Sequence, residues 1–254
     1  MPTDPGQSQS AFGLRFDWGL RGADAIIDGA DIAVVVDVLS FTTTLTVAVD
    51  AGIDVIPSRW RDDRATHLAE QFDAVLAVGR SEASAGRISL CPATVRAAPA
   101  PARLVLPSPN GSTIAHELAS RVEWCVGASL RNASAVAQWI RARNPSSVTA
   151  VIAAGERWPD ESLRPAVEDL WGAGAVLAAL VDSEAGDVSP EARAAAAAWR
   201  AVERDVGSEL HRCVSGRELI GMGHPEDVAI AAEVDSSFCV PILRDGTFVD
   251  WTRR

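Results

Sequence analysis

Apolar and polar positions along the chain fall into blocks whose lengths separate strands from helices. The clearest block is Ile32-Ala-Val-Val-Val-Asp37, a short β-branched run of the kind found in a sheet covered on both faces. Residues 42–51 follow with apolar positions at Leu45, Val47, Ala48 and Val49 and end before Gly52, which predicts a helix. Asp54-Val-Ile-Pro57 reads as the next strand. The unit then recurs, with strands expected over residues 74–78, 104–106, 123–126 and 148–153, and helices over 114–120, 133–143 and about 164–181. Residues 190–207 are alanine-rich and helical by propensity, residues 211–219 predict a further helix, and Gly221-Met-Gly-His-Pro225 breaks it. Residues 239–243 and 247–249, joined through Asp245-Gly246, predict a closing hairpin. The expected fold is therefore α/β: three α/β/α layers around a largely parallel or mixed sheet. Residues 1–10 read as a flexible N-terminus. Residues 11–254 read as a single α/β domain, with two closely packed lobes as the alternative.

Composition narrows the function. Hydrophobic residues make up 48% and charged residues 22%, which is ordinary for a globular chain with a full core. A net charge of −11 disfavours duplex nucleic acid and anionic membranes as partners, since neither offers counter-charge to an acidic surface. A small anion remains compatible, because backbone amides, a few arginines and a divalent cation supply positive charge locally. The cysteines Cys91, Cys125, Cys213 and Cys239 are widely spaced, with no C-x-x-C pair and no histidine at zinc-finger spacing, so neither a disulfide framework nor a zinc site is expected. No signal peptide and no span of ~20 apolar residues is present, so the cytoplasm is the expected address and no membrane the expected partner. A homodimer is compatible with the sequence.

Candidate chemistry lies in the loops that follow the strands, where open α/β sheets collect ligands. After the first strand come Asp37, Thr42, Thr43 and Thr44; after another, Ser108, Asn110, Gly111 and Ser112; a third loop holds Ser129, Arg131 and Asn132. Asp37 reads either as a helix-capping aspartate or as a magnesium ligand or nucleophile. Capping explains one of the three threonines but not all. Asn110-Gly111 also fits a tight turn, Asn132 a helix cap, and Arg131 a solvated surface position. Glu156 follows a strand, and Glu168-Asp169 opens the next helix. Adjacent helical residues point to different faces, so at most one of that pair is expected to be buried, where magnesium would serve as its partner. Two phosphatase schemes fail on spacing: Asp37-Val38-Leu39 lacks a second aspartate two residues on, and Cys91 and Arg96 are separated by four residues where cysteine-dependent phosphatases need five. No G-x-S-x-G elbow occurs, and none of His67, His116, His211 and His224 lies in these loops.

Taken in order, VVVDVLSFTTTLTVAVDAGIDVIP (34–57), LVLPSPNGSTIA (104–115), GASLRNASAVA (127–137), AVEDLWGAGAV (166–176) and SGRELIGMGHPEDVAIAAEVDSSFCVPIL (215–243) resemble the 2-phosphosulfolactate phosphatase family. The resemblance implies a magnesium-dependent phosphatase acting on a small phosphorylated acid, 2-phosphosulfolactate or a related compound, in a family associated with coenzyme M biosynthesis. It implies Asp37, Glu168 or Asp169, and Glu156 as catalytic or Mg2+-binding carboxylates. Thr42 to Thr44, Asn110, Gly111, Ser112 and Asn132 would surround the phosphate and the acid. The chain departs from the family pattern where Ser40 replaces an arginine after Asp-Val-Leu and where Gly79-Arg80-Ser81-Glu82 replaces Gly-Glu-Arg. These departures motivate an alternative: a catalytically impaired anion-binding or regulatory protein on the same scaffold.

Overall fold

The computed structural model of the chain describes residues 8–83, 86–143, 146–182 and 187–253. Most of the segment expected to be flexible, residues 1–7, lies outside the described residues. A strand and helix that the apolar pattern did not single out come first, β1 (Leu14–Trp18) and α1 (Gly19–Ile26). The expected alternation follows: β2 (Ile32–Val36), α2 (Phe41–Asp50), β3 (Asp54–Ser58), α3 (Asp63–Phe72), β4 (Val75–Leu76), α4 (Pro92–Ala97), β5 (Arg103–Pro107), α5 (Gly111–Leu118), β6 (Trp124–Ala128), α6 (Ala133–Arg141) and β7 (Thr149–Ala153), with α3 and α4 as two helices that the apolar pattern did not predict. A short antiparallel pair, β8 (Glu156–Arg157) and β9 (Leu163–Arg164), precedes α7 (Val167–Val181). Helices α8 (Pro190–Val202), α9 (Val206–Arg212), α10 (Val214–Gly221) and α11 (Pro225–Ala231) lead to the hairpin β10 (Pro241–Arg244) and β11 (Thr247–Asp250).

Nine strands form one mixed sheet in the order β1-β7-β2-β6-β10-β11-β3-β5-β4. β1, β7, β2 and β6 are mutually parallel, as are β3, β5 and β4, and the hairpin separates the two blocks through antiparallel pairings. Asp245 and Gly246 take φ values of 48° and 77°, the pair of left-handed residues that a tight two-residue hairpin turn needs. Both faces of the sheet are covered. Ile32, Val34 and Val36 face a core shared with α6, α7 and α8, while Ala33 and Val35 face one shared with α1, α2 and α5. The three-layer α/β/α expectation holds on that count.

Helix α2 explains how the strand ends are gathered. Residues 41–49 are all buried, and the helix touches β3, β6, β10 and β11 as well as α4 and α5. Its polar residues in this stretch are threonines, so it presents no charged solvated face before Asp50. Phe41 packs on Phe248 of the hairpin with ring centroids 6.2 Å apart. The sheet therefore curls over α2, which brings the end of β5 beside the end of β2 although five pairings separate these strands in the ladder.

Some boundaries differ from expectation for identifiable reasons. Helix α5 starts at Gly111, so Gly111 to Thr113 form its first turn instead of a preceding loop. The single helix expected over 211–219 is divided at Cys213, which is extended and whose thiol accepts the Gly216 N–H at 3.3 Å. The strand expected over 74–78 shortens to two residues at the sheet edge.

Candidate active site

Asp37 directly follows β2 in the turn that leads to α2, and the first turn of α5 closes on it from β5. Its Oδ1 accepts the Phe41 N–H at 3.1 Å and its Oδ2 accepts the Gly111 N–H at 2.9 Å. The Ser108 hydroxyl lies 3.5 Å from Oδ2. Gly111 is required by this approach: a Cβ there would sit 2.5 Å from the Phe41 ring and 2.7 Å from Asp37 Oδ2. Two helix N-termini thus favour the charged carboxylate. Burial opposes them and wins, raising the Asp37 pKa above the ordinary carboxylate value; the Phe41 and Gly111 amides and Arg80 pull it down and Glu168 pushes it further up.

Helix α7 presents the other two acids. Glu168 and Asp169 are 2% and 3% exposed, so the expectation that at most one would be buried is corrected: both faces of this first turn are enclosed. On one side Asp169 Oδ1 accepts the Val38 N–H at 2.7 Å and Oδ2 the Gly155 N–H at 2.8 Å, which ties α7 to the loops after β2 and β7. On the other side Glu168 adjoins the Cys213 thiol, whose pKa burial and then the Glu168 charge push up to about 12. Gly172 permits the close seating of α7, because a Cβ there would lie 2.6 Å from Val38 and 2.8 Å from Val36. Asp169 has its pKa raised well above the ordinary value, by burial first and then by the charges of Asp37 and Glu168.

Glu156 completes the cluster from β8. Its Oε2 accepts the Asn110 side-chain N–H at 3.0 Å, and burial, followed by the charges of Asp37 and Glu168, pushes its pKa up to about 7. Glu156 and Asn110 line a cavity of about 240 Å³ that Arg21 and Arg157 also border. The four acids lie within electrostatic reach of one another, yet among the described residues no three of them bring one oxygen each within 4.8 Å of one another. Their donor chemistry fits a hard divalent cation, which prefers carboxylate oxygen and keeps several waters of its own.

Arg80 is a site residue that reading the loops in isolation missed. It lies in the loop after β4, and its Nη2 donates to Ser40 Oγ at 2.8 Å while its charge acts on Asp37. A guanidinium therefore reaches the position next to Ser40 from a different loop. Arg61 lies near enough that burial and the Arg80 charge lower its pKa. The clue in the sequence is a cation displaced by one place within Gly79-Arg80, visible only once the two loops are seen to meet.

Most of the other candidates have their polar atoms committed within the fold. Thr42 to Thr44 are fully enclosed: Thr42 Oγ1 donates to the Asp37 carbonyl at 2.8 Å, Thr44 Oγ1 to the Leu90 carbonyl at 2.9 Å, and Thr43 Oγ1 has no partner. Ser112 turns inward to the Leu106 carbonyl at 3.1 Å. Asn132 is not part of the cluster, since its amide is spent on the Ser129 N–H and on the carbonyls of Gly127 and Cys239. Arg131 is buried, not solvated; it reaches Thr46 and Asp50 in the second half of α2 and pairs with Glu233.

The fold and the acids gathered at its strand ends define an α/β protein with a carboxylate cluster at the edge of the sheet. The description "2-phosphosulpholactate phosphatase" belongs to the family whose model matches residues 23–246, and the chain belongs to that family. It is 33% identical over 220 residues to the "Probable 2-phosphosulfolactate phosphatase" of Thermus thermophilus, covering 84% of this chain and 88% of the relative. The protein of the same name from Parasynechococcus marenigrum is 31% identical over 229 residues, 83% of this chain and 88% of the relative. A third, from Deinococcus radiodurans, is 29% identical over 220 residues, with coverages of 85% and 89%. No helix among the described residues is long and apolar enough to cross a membrane.

Proposed function

We propose that this protein is a magnesium-dependent phosphatase that hydrolyses the phosphate ester of 2-phosphosulfolactate or a closely related phosphorylated acid. The reading rests on the convergence of Asp37, Glu156, Glu168 and Asp169, three of them buried, with Arg80 as the cation facing Asp37. Buried carboxylates that face one another remain costly even with the N–H donors that Asp37 and Asp169 have, and a divalent cation removes that cost. The names carried by the relatives support the substrate class.

Asp37 and Glu168 would hold the Mg2+ ion. Asp169 has each oxygen committed to a backbone N–H, which suits a residue that positions the loops of Asp37 and Gly155. When bound, magnesium neutralises charge on the phosphoryl oxygens and orients the ester. Asp37 is bonded at both oxygens in the same way as Asp169, and it differs in having the Ser108 hydroxyl and the Arg80 charge beside it, which supports its place at the ion. Glu156, with a pKa near neutrality and a place on the cavity wall, carries the proton that the departing alkoxide oxygen takes up. Arg80 meets an anionic group of the substrate, and its bond to Ser40 keeps a cation beside the position where the family arginine is missing. That bond favours the enzyme over the impaired anion-binding protein.

The test is phosphate release from a panel of 2-phosphosulfolactate, 2-phospholactate and phosphoglycerates in the presence of Mg2+. The expected result is turnover with a preference for the substrate carrying the most negative charge, weakened in Arg80→Ala. Equal inactivity of folded wild-type protein on the whole panel would overturn the reading.

A further inference from the structure

A second group of metal-binding side chains lies outside the acid cluster. Cys91 precedes α4, His224 precedes α11, and Asp227 lies in the first turn of α11. One ligand atom from each falls within 4.8 Å of the others, with Cys91 Sγ 3.8 Å from His224 Nδ1. Cys91 and His224 are 133 residues apart in sequence, so no motif announces them.

We propose that Cys91, His224 and Asp227 bind a divalent cation of borderline softness, with zinc as its type, at a site distinct from the carboxylate cluster. Thiolate, imidazole and carboxylate are the donors zinc takes, and three protein ligands leave a fourth position open. A tetrahedral zinc ion holds its sulfur and nitrogen ligands about 3.6 Å apart, close to the separation here. Asp227 gives a second, independent indication. It is 1% exposed; its Oδ1 accepts the Ala93 N–H at 3.2 Å, while its buried Oδ2 has no N–H or O–H donor, the Cys91 thiol being the side chain that faces this carboxylate. A buried carboxylate oxygen without such a donor is costly, and a cation is the partner that corrects it. The three residues line a cavity of about 450 Å³, which provides an entry path and room for a water in the fourth position. Thiolate and carboxylate together balance the charge of the ion, with His224 neutral. The Ser89 hydroxyl accepts the Cys91 N–H at 3.2 Å and steadies the residue. The ion would pin the segment before α4 to α11, two helices that already touch.

The test uses Co2+ and Zn2+ as probes on full-length protein, with millimolar Mg2+ present to occupy the oxygen-only site. The expected result is one Co2+ per chain with a thiolate-to-cobalt charge-transfer band, displaced by stoichiometric Zn2+. Cys91→Ser should abolish the band, and Asp227→Asn should weaken Zn2+ binding by about 10- to 100-fold or more. Circular dichroism checks that each variant is folded; if one is not, the wild-type band decides alone. Absence of a charge-transfer band in cobalt-saturated wild-type protein, or a Zn2+ affinity unchanged in folded Cys91→Ser, would overturn the proposal. Neither outcome bears on whether the acid cluster hydrolyses phosphate esters.

Discussion

Replacing Glu156 by glutamine should make the metal-free protein more stable while disabling it. Burial and the neighbouring Asp37 and Glu168 raise the Glu156 pKa from about 4.5 to about 7. A carboxyl whose folded-state pKa is raised binds its proton more tightly in the native state. Its contribution is therefore most favourable at low pH and is lost as pH rises through the window from about 4.5 to about 7. Each tenfold difference in proton affinity corresponds to about 1.36 kcal/mol, so the ionised side chain costs about 3 kcal/mol at pH 8 and under about 1 kcal/mol at pH 5. Glutamine keeps an oxygen to accept the Asn110 N–H and cannot ionise. Urea unfolding in chelator at the two pH values measures the difference. The expected outcome is a gain of about 3 kcal/mol for Glu156→Gln at pH 8, falling below about 1 kcal/mol at pH 5, with the loss of phosphatase activity expected when a site residue yields to stability. A gain independent of pH, or none at pH 8, would refute the electrostatic reasoning.

Gly111→Ala should force Asp37 and Phe41 apart, lowering stability by about 1–3 kcal/mol in calorimetry and activity on the order of 100-fold. Arg80→Ala should lower kcat/KM by about 10- to 100-fold, mainly through KM, whereas Ser40→Ala should cost less than about 10-fold because it removes only the hydroxyl that Arg80 touches. Thr43→Val replaces a buried hydroxyl that has no partner, so stability should rise by about 1 kcal/mol in denaturant titration with kcat unchanged.

The strand β2 is legible in the sequence because a continuous β-branched run such as Val34-Val-Val36, buried on both faces, has few other uses, and that holds for any order of the strands. The order itself is not legible. The hairpin of residues 241–250 announces itself through Asp245-Gly246, but nothing local directs it to lie between two parallel blocks. The curling of the sheet over α2 then determines which loops meet. Asp37, Gly111 and Glu156 can be picked out because each ends or follows a strand. Arg80 cannot, because its role depends on contact with Ser40 across 40 residues. The threonines cannot be assigned from sequence for a physical reason, since hydroxyls at a helix start satisfy nearby carbonyls as readily as they meet a ligand.

Whether the buried acids form a magnesium site that hydrolyses a phosphate ester is decided by following phosphate release from 2-phosphosulfolactate with wild type and Asp37→Asn. Each protein is assayed with Mg2+, with chelator, and with Mg2+ restored. The expected result is turnover in wild type that vanishes in chelator, returns with Mg2+, and is absent in folded Asp37→Asn under every condition. Turnover undiminished by chelator, or retained in Asp37→Asn, would contradict the assignment.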